Sequence, residues 1–375
     1  MVSINSKICG EAALVIDFAG RHSMSDFRGN VDHLSDPVLP SMLGLCTLVI
    51  TIAALYFARS VFAPLAFAVF IIALIWPVQR RLQSRMPKLV ALAVSVLAMI
   101  LIFTAFGSMI TWSFTRVGRY VVGDSARFQS HYAQLANWLE GHGIVLAGVW
   151  AEHFNVGWLL RVFQQITTRL NSTLSFSIIV LIYVILGLLE VDDAARRIRA
   201  LRNGQLGQVL LMGGASTATK FRRYMLVRTL MSIMTGLLVW AFASVAGLQL
   251  AAEWGVIAFA LNYIPFIGPF VATVFPTLFA IAQFESLQMA VLVFGGLNLI
   301  QFLVGSYLEP RIAGNAVSLS PFLVLFAVFF WAFLWGIAGA FIGVPIVIAV
   351  MTICEQHPSS RWVADLFGAE TVKHA

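Results

Sequence analysis

The chain has little charge. Of its 375 residues, 11% are Asp, Glu, Lys or Arg and 60% are hydrophobic, whereas about a quarter of a soluble domain is charged. That shortage excludes the two or three soluble domains that length alone would suggest. Cysteine is scarce as well. Cys9, Cys46 and Cys354 form an odd, scattered set that suits neither a disulfide framework nor a metal cluster. There is no Gly-x-x-x-x-Gly-Lys-Ser/Thr stretch, so pumping driven by nucleotide bound to this chain is not expected. Histidine occurs only at 22, 33, 131, 142, 153, 357 and 374, never inside a long apolar run. An intramembrane enzyme built on His-Glu-x-x-His or a His-activated nucleophile is therefore not expected, nor is a cofactor. His131, His142 and His153 recur every eleven residues, which on one helix sets them about 16 Å apart, too far to share an ion. Zinc-finger spacing and basic–aromatic platforms are also missing, so the formal charge of +7 does not point to nucleic acid.

What the chain has is apolar runs. Several reach the roughly 20 residues that cross a hydrocarbon core about 30 Å thick. The fold class expected is an all-α polytopic membrane protein with about eight membrane segments. They run near Leu39–Ala58, Val61–Trp76, Leu89–Trp112, Thr173–Leu189, Tyr224–Leu248, Trp254–Ala282, Leu287–Tyr307 and Pro321–Ile353. Basic residues cluster after the second run (Arg80, Arg81, Arg85, Lys88) and after the fourth (Arg196, Arg197, Arg199, Arg202, Lys220, Arg222, Arg223). Short loops rich in Lys and Arg stay in the cytoplasm, so strict alternation expects a cytoplasmic amino terminus. Residues 1–38 then read as a cytoplasmic polar tail, 39–112 as three spans and 113–172 as an external segment. In that segment Phe128, Tyr132, Leu135 and Leu139, then Trp158, Val162, Ile166 and Leu170, repeat at helical steps. Residues 173–353 form the second membrane region and 354–375 a tail.

Two apolar runs are long and interrupted. Residues 254–282 contain Pro265, Gly268, Pro269 and Pro276; residues 321–353 contain Gly336, Gly339, Gly343 and Pro345. Proline removes a backbone donor and clashes with the preceding turn, and an unsatisfied peptide group survives at membrane depth only inside protein or beside a watery cavity. Both runs are expected to be broken or re-entrant, with their freed backbone lining a solute path. Kinked, tilted helices are the alternative. Between them lies "YLEPRIAGN", where Glu309, Pro310 and Arg311 follow Asn298 and Gln301. Ionisable groups near membrane segments are functional candidates, with an interfacial loop as the plainer reading. Asn262 is a further polar candidate. Glu309 is expected to be protonatable, Arg311 to hold an anion or a charge partner, and Asn262 to contact solute.

At these residues the sequence resembles the autoinducer-2 exporter (AI-2E) family. The likeness rests on "LNYIPFIGPF", "LEPRIAGNAVSLSPFLVL" and "WGIAGAFIGVPIVIAV". The first is similar to the family's Asn-x-Ile-Pro-x-Ile-Gly-Pro pattern, through Asn262, Ile264, Pro265, Ile267, Gly268 and Pro269. The second resembles its Pro-x-x-x-Gly, through Pro310 and Gly314. The third resembles its terminal Gly-x-x-Gly and later Pro, through Gly336, Gly339 and Pro345. The chain departs from the family at Val304 and Gly305, where members often carry an acidic residue or Asn, and at Ser320, where they often carry His. The resemblance implies a multi-pass transporter of the bacterial inner membrane, with a small molecule or ion as substrate. Members are linked to export of autoinducer-2, others to sodium–proton exchange. A cation/proton antiporter, a channel-like pore and a structural assembly protein are the other readings. Subunit number is left open, a homo-oligomer included.

Overall fold

The computed structural model describes residues 38–124, 130, 141, 156–200, 204–313, 319–356 and 360–367. Every regular element among them is helical. The expected tail before Val38, the repeat around Phe128–Leu139 and Gly314 lie outside the described residues. Helix α1, Val38–Phe57, belongs to a unit of its own, residues 1–58. Its apolar length leaves Leu45, Leu48 and Ile50 exposed, and Thr47 and Thr51 return their hydroxyls to the carbonyls of Leu43 and Thr47.

The second unit begins at Arg59. It holds α2 (Arg59–Gln83), α3 (Lys88–Gly123), α4 (Val156–Arg199), α5 (Gly204–Val245), α6 (Ala251–Leu261), α7 (Ile267–Phe284) and α8 (Leu287–Gln301). A π-helical turn, Phe302–Leu308, leads into the short α9 (Glu309–Ala313), followed by α10 (Pro321–Gln356) and α11 (Arg361–Phe367). Among the described residues seven helical stretches are long and apolar enough to cross a membrane, and Ser41–Phe57 and Ala251–Leu261 are shorter apolar helices. Leu101, Ile102, Leu226, Leu237 and Phe333 are all exposed. A band of that kind suits lipid rather than water. The chain is a polytopic helical membrane protein.

The helices run further than the apolar runs. The fourth expected span is the second half of α4, which begins at Val156 and is continuous through the repeat at Trp158–Leu170. In the second basic cluster Arg196, Arg197 and Arg199 lie in α4, and Lys220, Arg222 and Arg223 in α5, rather than in a loop; Arg202 lies outside the described residues. Its charges find local partners: Arg196 pairs with Asp193, Lys220 with Glu355 at 2.7 Å, and Arg222 donates to the Ala73 carbonyl. Backbone hydrogen bonding continues a helix past the bilayer at little cost once long cationic side chains can reach polar surroundings.

Both interrupted runs are broken, and both fold back on themselves. In α10, Gly336 has φ 65° and ψ −142° inside an otherwise helical run. Beyond it the chain reverses. A Cβ on Gly339 would lie 1.9 Å from the Trp331 carbonyl oxygen, and one on Gly343 would lie 2.9 Å from that of Ala327. As the index rises by four on one arm it falls by four on the other, which is an antiparallel helical hairpin with its tip at Gly336. The arms pack so closely that only hydrogen fits at Gly339.

The other hairpin is α6 and α7. A Cβ on Gly268 would lie 1.9 Å from the Leu261 carbonyl oxygen, near the tip. At the far end the Gln283 side chain accepts from the Gln249 N–H and donates to the Gly247 carbonyl, both at 2.8 Å. The chain therefore enters and leaves this hairpin at one end. The two hairpins touch. Tyr263 stacks on Phe341 with ring centroids 5.7 Å apart, and Ile264 and Ile267 pack against the core formed by Phe70, Phe221, Tyr224, Ile342 and Ile348.

Candidate functional site

The tip of the α6–α7 hairpin turns on proline chemistry. Pro265 and Pro269 bring no N–H, and Phe266 between them takes φ 63° and ψ −55°, the geometry of a strained γ-turn. The Ile267 N–H donates to the Pro265 carbonyl at 2.7 Å, as that turn requires. Ile264, Gly268 and Phe270 donate to the carbonyls of Leu261, Ile264 and Phe266. The carbonyls freed by the prolines are thus taken up by the turn itself. The expectation of bare backbone lining a path gives way here to polar side chains.

Those side chains face α5. Tyr224, Arg228, Ser232 and Thr235 recur at four- and three-residue steps on one face of α5, and all are buried. Asn262, also buried, donates its amide to the Ser232 hydroxyl at 3.3 Å, and the Tyr263 hydroxyl bonds that of Thr229 at 3.1 Å. The Thr235 hydroxyl and Arg228 Nε are buried without a hydrogen-bond partner.

Arg228 stands near the amino-terminal end of the apolar part of α5, about one turn beyond Arg222 and Arg223. Its Nη1 donates to both oxygens of Glu309, at 2.9 and 3.0 Å, and the two side chains are 9% and 28% exposed. Burial to that degree is tolerated for a cation only with an anion beside it. The π turn sets up the pair. Its wider winding shifts the helix register just before Glu309, and the residues after it pack on α5. Tyr224 borders the cluster, its ring centroid 6.0 Å from the guanidinium carbon.

The candidates inferred from sequence divide into three groups. Asn262 and Glu309 are drawn together around α5, about one helical turn apart along it. Pro265, Gly268 and Pro269 shape one hairpin; Gly336 and Gly339 shape the other, with Pro345 buried on its second arm. Others sit apart. Asn298 is exposed and donates to the Phe294 carbonyl of its own helix. Arg311 is exposed and lies 3.9 Å over the Tyr307 ring, so the charge partner of Glu309 is Arg228 and not its neighbour. Pro310 is exposed between them, and Gln301 has a buried amide nitrogen without a partner.

Arg228 is the residue that reading by runs passes over. It is the one charged residue in the expected span Tyr224–Leu248, near its start, and an arginine inside a span is itself a signal. Glu253 is a second case. It is 4% exposed on α6 and pairs at 2.8 Å with Arg116 of α3, whose guanidinium also lies 5.1 Å from the Trp112 ring. Among the described residues no group of three His, Cys, Asp or Glu side chains is placed to hold a metal ion.

Residues 45–359 match the family model described as "AI-2E family transporter". The chain is 29% identical over 331 residues to the AI-2 transport protein TqsA of Escherichia coli (strain K12), covering 87% of this chain and 94% of that protein. It is 24% identical over 335 residues to the putative transport protein YhhT of the same strain, covering 87% and 93%. A putative transport protein of Haemophilus influenzae is 20% identical over 341 residues, covering 88% and 96%.

Proposed function

We propose that the chain, which belongs to the AI-2E family of transporters, carries a small polar solute outward across the bacterial inner membrane. Family membership makes it a multi-pass membrane transporter and not an enzyme. The finer reading rests on one observation above all. Two helical hairpins touch through Tyr263 and Phe341, and α5 beside the first carries a buried polar face that holds the Arg228–Glu309 pair. Broken helices at mid-depth are the device by which secondary transporters bind solute and then move one element against another. Each tip holds a backbone conformation that ordinary residues rarely adopt, φ 63° at Phe266 and φ 65° at Gly336. Hinges are drawn from such sites.

Autoinducer-2 is the first solute to try, because the relative TqsA is named an AI-2 transport protein. The amino terminus is cytoplasmic in this reading, as the basic clusters suggest. Efflux of labelled autoinducer-2 from proteoliposomes, with and without an imposed pH gradient, tests it. Wild type is expected to exceed protein-free liposomes and to respond to the gradient, and Glu309→Gln to lose that response. Efflux equal to protein-free liposomes under both conditions removes this solute. Sodium-dependent proton movement in the same vesicles would favour the antiporter reading, and uncoupled currents the pore.

A further inference from the structure

We propose that Arg228 is an anion-binding group whose resident partner, Glu309, stands in for a solute anion. The path then takes a small monoanion that replaces the Glu309 carboxylate on the guanidinium while Glu309 takes up one proton. This rests on the transport reading and adds the charge class of the solute.

The grip of Glu309 on Arg228 is incomplete. Both carboxylate oxygens lie on the single nitrogen Nη1, at 2.9 and 3.0 Å. A carboxylate bound in the preferred fork would spread over two guanidinium nitrogens. Arg228 Nε is buried and bonds nothing, so the cation has a donor to spare. Glu309 is the more exposed partner, 28% against 9%. It sits on a five-residue helix behind the π turn, the part of the pair best placed to withdraw. The Ser232 hydroxyl and the Asn262 amide, joined by a long 3.3 Å bond, and the unpartnered Thr235 hydroxyl follow along the same face of α5. They offer hydrogen bonds to the rest of a small oxygenated molecule.

Charge sets the proton count. Arginine cannot shed its proton in a protein, so it requires an anion in every state. The empty site holds one cation and one carboxylate. When solute arrives, an uncompensated second anion at this depth would be strongly penalised. A hydronium ion gives its proton to the partly exposed Glu309 carboxylate, leaving water, and the proton returns to water when the anion departs. The elements packed against Glu309 are α5 and the π turn. From α5 Arg228 and Tyr224 face it; on its own segment Arg311 is occupied by the Tyr307 ring. Anion and proton therefore move the same way. Acid inside favours loading and alkali outside favours release, so an inside-acid gradient speeds efflux and the opposite gradient slows it.

Formate is a suitable probe, with full-length protein in nanodiscs and binding read by calorimetry at constant ionic strength. For wild type, affinity is expected to rise as the pH falls, at most about tenfold per unit where each anion brings one proton. Glu309→Gln is expected to bind formate more tightly and without that pH dependence. Arg228→Met should bind none; should it fail to fold, the neutral double variant Arg228→Met/Glu309→Gln serves instead. Wild-type affinity that is flat with pH overturns the proposal, as does formate binding that survives in the double variant. Flat formate binding together with solute efflux sinks the anion class alone. The expected binding pattern with no efflux of any solute sinks the transport reading and leaves the anion site standing.

Discussion

Arg228 and Glu309 lie 81 residues apart in the chain and bond at 2.9 Å in the interior. Removing one partner of a buried ion pair strands the other and costs about 3–5 kcal/mol, whereas replacing both with uncharged groups of similar size is close to neutral. Both single variants are therefore expected to lower the thermal unfolding midpoint in detergent, Glu309→Gln the more, because it strands the more buried partner, a cation that cannot shed its proton. Arg228→Met/Glu309→Gln should regain much of the loss. A double variant less stable than both single ones would mean that the pair is not an isolated unit. The two close-packed glycines give a second residue-scale expectation. Gly268→Ala and Gly339→Ala each place a methyl 1.9 Å from a carbonyl oxygen, so the hairpin arms must part and folded yield should drop. Gly295→Ala meets nothing within 4 Å and should leave yield unchanged.

The hairpins carry the account at the scale of elements. If α10 reverses at Gly336, Ser320 and Cys354 lie on the same side of the membrane; a single spanning helix would put them on opposite sides. Maleimide labelling with a reagent that does not cross the bilayer decides this. Cys354 and a Ser320→Cys variant should be modified from one side, and Glu285→Cys, at the base of the other hairpin, from the opposite side. Labelling of Cys354 and Ser320→Cys from opposite sides would rule out the reversal. That both runs are broken was legible in the sequence from their crowding of Pro and Gly. Where each breaks was not, since Pro276 and Pro345 stand inside continuous helix while Phe266 and Gly336 take the turn conformations. That the arms fold back was not legible, since reversal depends on carbonyl–glycine contacts between arms and on the surfaces that receive the tips. Helices outrun the apolar runs for a related reason. Hydropathy marks where lipid ends, and α3, α4 and α5 continue beyond that point through residues whose charges reach partners or water. Asn298 and Gln301 look alike in sequence, yet one is exposed and the other half-buried, because the face each presents depends on packing and on the turn that follows.

For the molecule as a whole, the hairpins enter from opposite ends. Gln283 and Gln249 close the α6–α7 hairpin near the carboxyl end of α5, whereas Lys220–Glu355 ties the second arm of α10 to the amino-terminal half of α5. The hairpins touch between these anchors, at Tyr263 and Phe341. An outer ion pair, Arg116–Glu253, fastens α6 to α3 on the far side of the tips from Lys220. In the transport reading proposed above, solute passes when Tyr263 and Phe341 separate. That is the central claim, and holding them together tests it most directly. Tyr263→Cys and Phe341→Cys, placed in a chain with Cys9, Cys46 and Cys354 changed to Ser, would be bridged by a short bifunctional thiosulfonate in proteoliposomes loaded with labelled autoinducer-2. Efflux should stop on bridging and return when a reductant removes the bridge. Efflux that continues unchanged with the hairpins bridged would contradict a path between them.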